Sequence, residues 1–228
     1  MPLKKGKFKK VVSENISTLV KDVLVRLRES EVDNVTSTPY SKLIGKYIND
    51  AKRYVEDAYQ WNALSETLTV TTANDLFNYV MTGSGQRFKV IDVINSEDDV
   101  FLEYMPFTKM NNLFLNQSPQ KGSPMYYNFN GVDSNGDTQV DVYPIPDGAY
   151  NLYFNIYKPQ VALSADADQI KVPSEPVVLR AYALATVERG EDQGLAATEA
   201  FALSNEALAD AIAIENGRYH DEYVWHTV

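Results

Sequence analysis

The hydrophobic period of this 228-residue chain changes twice, and no other feature constrains its fold as much. Apolar residues recur at three- and four-residue spacing as far as Trp61, alternate along short runs from about Glu66 to Tyr157, and return to helical spacing from Pro173. A helix brings every third or fourth side chain to one face and a strand every second one, so one stretch cannot satisfy both. The order is therefore helix, helix, a block of strands, helix, helix.

Ile16, Leu19, Val20, Val23, Leu24 and Leu27 form one stripe of a first helix, with Ser13 as its expected cap. A polar linker from Ser30 to Thr36 leads to Thr38-Pro39, a cap followed by a first-turn proline. Ile44, Tyr47, Ile48, Ala51, Val55 and Ala58 then line a second helix ending near Trp61. Pro173 to Arg189 predicts a third helix, with Pro176 tolerable in its first turn, and Gly190 to Gly194 interrupts it. Leu195 to Asn216 predicts an Ala-rich fourth helix closed by Gly217.

Between these lie runs rich in β-branched and aromatic residues: 67–71, 88–93, 100–104, 125–129, 139–143 and 150–157. Residues 105–116 suggest a short helix or loop. Asn135-Gly136 predicts a tight hairpin, and Pro146-Asp147-Gly148 a second one. The expected fold class is α+β: a bundle of about four helices with an inserted antiparallel β sandwich or barrel and an extended C-terminal tail. The boundaries expected are a basic arm at 1–12, a helical domain from 13–65 and 173–217, the β insert at 66–160, a connection at 161–172 and the tail at 218–228.

Charge separates the arm from the body. Residues 1–10 hold Lys4, Lys5, Lys7, Lys9 and Lys10 with no acid, while the whole chain is −10, which leaves −15 on the remainder. A body that acidic repels DNA, so nucleic-acid contact would fall to the arm or to local patches. The arm is either a solubilising terminus or a segment that orders on an acidic protein or nucleic-acid surface. There are no cysteines, which excludes disulfides, thiolate catalysis and Cys-ligated metal centres. No apolar run reaches the ~18–20 residues of a membrane span, and Met1 to Lys10 leads into no signal-peptide core.

Motifs for chemistry fail on spacing. Asp133 to Asp137 resembles the start of a calcium loop, but Thr138 and Pro144 stand where that loop needs Gly and Glu. Gly83-Ser84-Gly85 has Phe88 in place of its third glycine, and Gly45-Lys46 has Tyr40 where a phosphate loop needs Gly. Both histidines, His220 and His226, lie in the terminal tail, which lacks the rigid partner a catalytic histidine needs. No cofactor or metal is expected, and no enzymatic activity. In the tail, Arg218, Tyr219, Tyr223 and Trp225 concentrate residue types that dominate binding hot spots. They would dock on a partner or pack on the chain's own helices.

The order of parts resembles the head-to-tail adaptor proteins of short-tailed bacteriophages. The resemblance runs over Tyr47-Ile48-Asn49-Asp50-Ala51 to Trp61, Val142 to Tyr150, and Val172-Pro173 followed by Leu179 to Ala185. In element order it covers roughly residues 16–217. It implies a structural virion protein of the neck, assembled in the host cytoplasm into a twelve-fold ring. Such a ring joins the portal to the tail components, including the tail nozzle, and continues the DNA channel without sequence-specific binding or membrane contact. It further implies that Arg218–Val228 docks on the portal while residues 66–160 face the tail. The alternatives are another tail or neck binding module, such as a nozzle or tail-completion component, and a tail-associated hydrolase.

Overall fold

The computed structural model describes residues 14–115, 118–190 and 195–218. It contains five α-helices and two four-stranded sheets, an α+β protein. The chain divides into two compact units: one runs up to Trp61 and resumes at Gln160, and the other is Asn62–Pro159.

In the first unit, α1 (Ile16–Arg26) and α2 (Pro39–Ala58) precede the excursion, and α4 (Ser174–Arg189) and α5 (Leu195–Asn216) follow it. The cap of α1 is Asn15, whose side chain accepts the Thr18 N–H at 2.9 Å; the expected cap, Ser13, lies outside the described residues. At α2, Thr38 and Ser41 exchange side-chain and backbone hydrogen bonds of 3.0 Å in a capping box, with Pro39 in the first turn. This helix ends at Ala58, short of Trp61, because Tyr59 is already extended. Ile16, Leu19, Val20, Val23 and Leu24 of α1 are buried, as are Ile44, Ile48, Ala51 and Val55 of α2. Each large apolar side chain so enclosed contributes about 1.5–3 kcal/mol.

The central helix is α4, which packs on α1, α2 and α5. Its buried residues, among them Val177, Val178, Ala181, Ala183 and Ala185, lie all round it, so it has no solvent face of the usual width. Gly190 closes it at φ 66°, a left-handed conformation that costs glycine nothing. Gly217 has no such conformation; its N–H bonds the Ala213 carbonyl at 3.0 Å, continuing the helical pattern. The Arg180 guanidinium lies 3.3 Å from the centre of the Tyr54 ring and 5.4 Å from that of Phe201, joining α4 to α2 and α5.

The segment that returns to this unit is tied along α2. Lys52 Nζ, buried, donates to the Gln160 and Val161 carbonyls at 2.7 and 3.2 Å and pairs with Glu56 Oε1 at 3.0 Å. Asn49 exchanges two hydrogen bonds with the Leu163 backbone. Further on, Asp168 accepts the Ser164 and Ala165 N–H groups, which hold its carboxyl below the usual range.

In the second unit the first sheet has the order β1 (Ser65–Thr71), β8 (Asn151–Tyr157), β3 (Lys89–Asn95), β4 (Val100–Phe101). The second has the order β2 (Asn78–Val80), β7 (Thr138–Tyr143), β6 (Tyr126–Val132), β5 (Glu103–Tyr104). Inward residues of both sheets form one core, including Met81, Val93, Val140, Val142, Leu152 and Phe154. The stretch expected as a short helix or loop is the nine-residue helix α3 (Phe107–Leu115), which sits in this unit.

Three expectations about the strands change. The run 100–104 is two strands: Leu102 is buried, its N–H goes to Val93 of the first sheet at 2.8 Å, and the chain then enters the second. The pairing of β5 with β6 is parallel, so the insert is not wholly antiparallel. Pro146 to Gly148 is not a hairpin, since β7 and β8 belong to different sheets. Pro144 and Pro146 have no N–H to continue a ladder; only Ile145 between them pairs, beside Lys121. Asn135-Gly136 does join paired strands, but in a five-residue loop. There Asp133 Oδ1 accepts the N–H groups of Asn135 and Asp137 at 2.9 and 2.8 Å, and Gly136 alone turns left-handed at φ 88°.

Candidate interaction surfaces

Several carboxylates at the loops of the β unit are engaged by backbone or hydroxyl donors. Asp137 accepts from the Gly83 and Gly85 N–H groups at 2.8 and 3.0 Å, and these bonds hold its carboxyl below the usual range. Glu97 accepts the Asn151 N–H at 2.8 Å and is likewise held down. The Tyr150 hydroxyl donates to Asp147 at 2.6 Å, which pushes its pKa up to about 12. These groups fasten loops and stay in one ionisation state near neutrality. Among the described residues no three His, Cys, Asp or Glu side chains are grouped to hold a metal, and no helix is long and apolar enough to cross a membrane.

What the surface offers instead is apolar area. In the β unit, Phe101, Tyr104, Phe107 and Leu115 are 50–78% exposed, on β4, on the end strand β5 and on α3. Sequence periodicity gave no reason to single them out: within 100–104 only Leu102 is buried, and within α3 only Met110. In the helical unit, Leu203 and Ile214 of α5 are exposed at 53% and 65% although fourteen of its 22 residues are apolar.

Of the binding residues expected from sequence, Arg218 alone is described. It sits in the turn after α5, not in an extended segment, and its guanidinium pairs with Glu215 at 2.8 Å while staying 64% exposed. Tyr219, Tyr223 and Trp225 lie outside the described residues, as do Lys4, Lys5, Lys7, Lys9 and Lys10.

Residues 14–223 match the model of the SU10 adaptor protein family, across both units and the crossings between them. The chain belongs to that family. It is a phage head-to-tail adaptor, as its sequence resemblance implied, and the family is one of structural adaptor proteins of the virion neck. No curated protein matches the chain. The matched region of the adaptor begins after the five-lysine arm, includes Tyr219 and Tyr223, and stops before Trp225.

Proposed function

We propose that this adaptor assembles as a twelve-membered ring that joins the portal to the tail and continues the DNA channel, with no catalytic role. The family match over 14–223 carries this reading. Consistent with it, Asp137 and Glu97 are fastened to backbone donors while apolar side chains stand exposed on both units. The helices act as a bundle with the β unit as a sandwich inserted between α2 and α4. In the ring, the tail Arg218–Val228 docks on the portal through Arg218, Tyr219, Tyr223 and Trp225. The β unit faces the tail components, to which Phe101, Tyr104 and Phe107 offer contact area.

Docking one tail per subunit into a symmetric ring multiplies weak contacts through effective concentration. The cost of ordering each tail is met only when the portal is present, so assembly waits for the head. An acidic lumen would let DNA slide without adhering; a channel lined by Lys and Arg in an electron cryomicroscopy map would refute that part.

The test is the mass of the adaptor by light scattering, alone and with portal rings, for the full chain and for a chain ending at Gly217. The expected result is a 25.6 kDa monomer that joins the portal in twelve copies and fails to join without its tail. A full chain that ignores the portal overturns the reading.

A further inference from the structure

α5 buries one side against α4 and leaves the other in solvent with an ordered charge pattern. Glu199, Glu206 and Asp210 are exposed and fall within about 40° of one another round the helix axis. Leu203 lies between the first two, and Ile214 one turn past the last. α2 presents the opposite pattern. Lys42, Lys46 and Arg53 are exposed, also within about 40° of one line; exposed Asp57 follows one turn beyond Arg53, past the end of the basic stripe, and Asp50 lies roughly 80° round from Lys42. None of the six stripe charges makes a hydrogen bond or ion pair among the described residues.

The spacings match in reverse. Along α5 the acids are separated by seven and then four residues, and along α2 the bases by four and then seven. At about 1.5 Å per residue both stripes are roughly 16 Å long. Laid antiparallel, Glu199 meets Arg53, Glu206 meets Lys46 and Asp210 meets Lys42 in a single register. A shift of one turn breaks at least two of the three pairs. The aliphatic stems of Lys46 and Arg53 would cover Leu203 while their charged ends reach Glu206 and Glu199.

We infer that α5 of one copy docks antiparallel on α2 of the next, a head-to-tail contact between subunits. This rests on the ring reading above and names the surfaces that would build it. Because the donor and acceptor faces differ, the contact propagates from copy to copy and closes where the rotation allows. The exposed apolar side chains of α5 gain cover, and the three charge pairs set register and direction.

The chain has no cysteine, so one engineered pair reports one contact. Full-length protein carrying Lys46→Cys and Glu206→Cys is oxidised at high concentration, alone and on portal rings. The expected product is a ladder of disulfide-linked dimers, trimers and higher species. Adding Lys42→Glu and Arg53→Glu should lower its yield on the order of tenfold, and adding Glu199→Arg and Asp210→Lys as well should restore it. No ladder, an internal disulfide, products that stop at dimers, or a yield indifferent to the reversals would each overturn the inference. So would capture of Glu206→Cys by a cysteine placed at Lys7, which would give the acidic face to the basic arm. A ladder without portal binding would leave this contact standing and remove the portal; full portal loading without a ladder would do the reverse.

Discussion

The indole N–H of Trp61 donates to the main-chain carbonyl of Val55 at 2.7 Å. That carbonyl is among the last four of α2, which have no partner within the helix. Trp61 is 2% exposed and meets the Tyr59 ring edge-on at 5.4 Å between centroids. One side chain thus closes the helix and fixes the residue at which the chain leaves the helical unit.

Trp61→Ala should cost roughly 3–5 kcal/mol in urea unfolding, the range for emptying an aromatic site in a core. Trp61→Phe keeps much of the volume but leaves the Val55 carbonyl without its donor, and should cost about 1–3 kcal/mol. A loss below about 1 kcal/mol for the alanine variant would show that Trp61 does not anchor α2.

Lys52 and Glu56 are buried together, and Glu56 Oε2 has no hydrogen-bond partner among the described residues. Lys52→Met should therefore destabilise strongly, by about 3–5 kcal/mol, since it strands a buried carboxylate. The double variant Lys52→Met, Glu56→Leu should be more stable than Lys52→Met alone. A double-mutant cycle by chemical denaturation checks this, and additive losses would refute it.

Asp137 gives a pH signature. Its carboxyl is held below the ordinary value of about 3.9 by the Gly83 and Gly85 N–H groups. A depressed folded-state pKa adds stability above the unfolded value, and that stability fades as pH falls through it toward the folded value. The stability gap between wild type and Asp137→Asn should be constant near neutrality and shrink below about pH 4. A gap that widens on acidification would contradict this. Unfolding curves at a series of pH values suffice.

Gly45 lies where α2 passes Val35, and a Cβ added there would come 2.8 Å from Val35 Cγ1. Alanine gains about 1 kcal/mol of helix propensity over glycine. Against that, overpacking beside a stiff β-branched side chain costs about 1–3 kcal/mol. Gly45→Ala should be neutral to destabilised by about 2 kcal/mol, and adding Val35→Ala should relieve the clash. The melting temperatures of the two variants decide it.

Much of the candidate surface is present in the sequence but not distinguishable there. The intervals of 42, 46 and 53 and of 199, 206 and 210 are plain to count. Charged residues at helical spacing on an acidic protein are ordinary, however, until burial shows which side of α5 faces α4. The apolar composition of α5 suggests burial all round, whereas the structure encloses one side and exposes Leu203 and Ile214.

By itself the sequence determined what local forces control. Thr38, Pro39 and Ser41 start α2 because the cap and the fixed proline φ act within one turn. The α1 stripe and most strand runs follow from side-chain period alone. Tertiary structure decided which strand meets which. The alternation of 150–157 fits a hairpin with 139–143 as well as it fits a place between β1 and β3, and only the shared core of the two sheets selects the latter. Leu102 likewise breaks one apparent strand in two: Val100, Phe101 and its own N–H pair with β3 in one sheet, while Glu103 and Tyr104 pair with β6 in the other. Period is a property of neighbours along the chain. Strand partners are chosen by burial between segments far apart in sequence, and no local pattern records that choice.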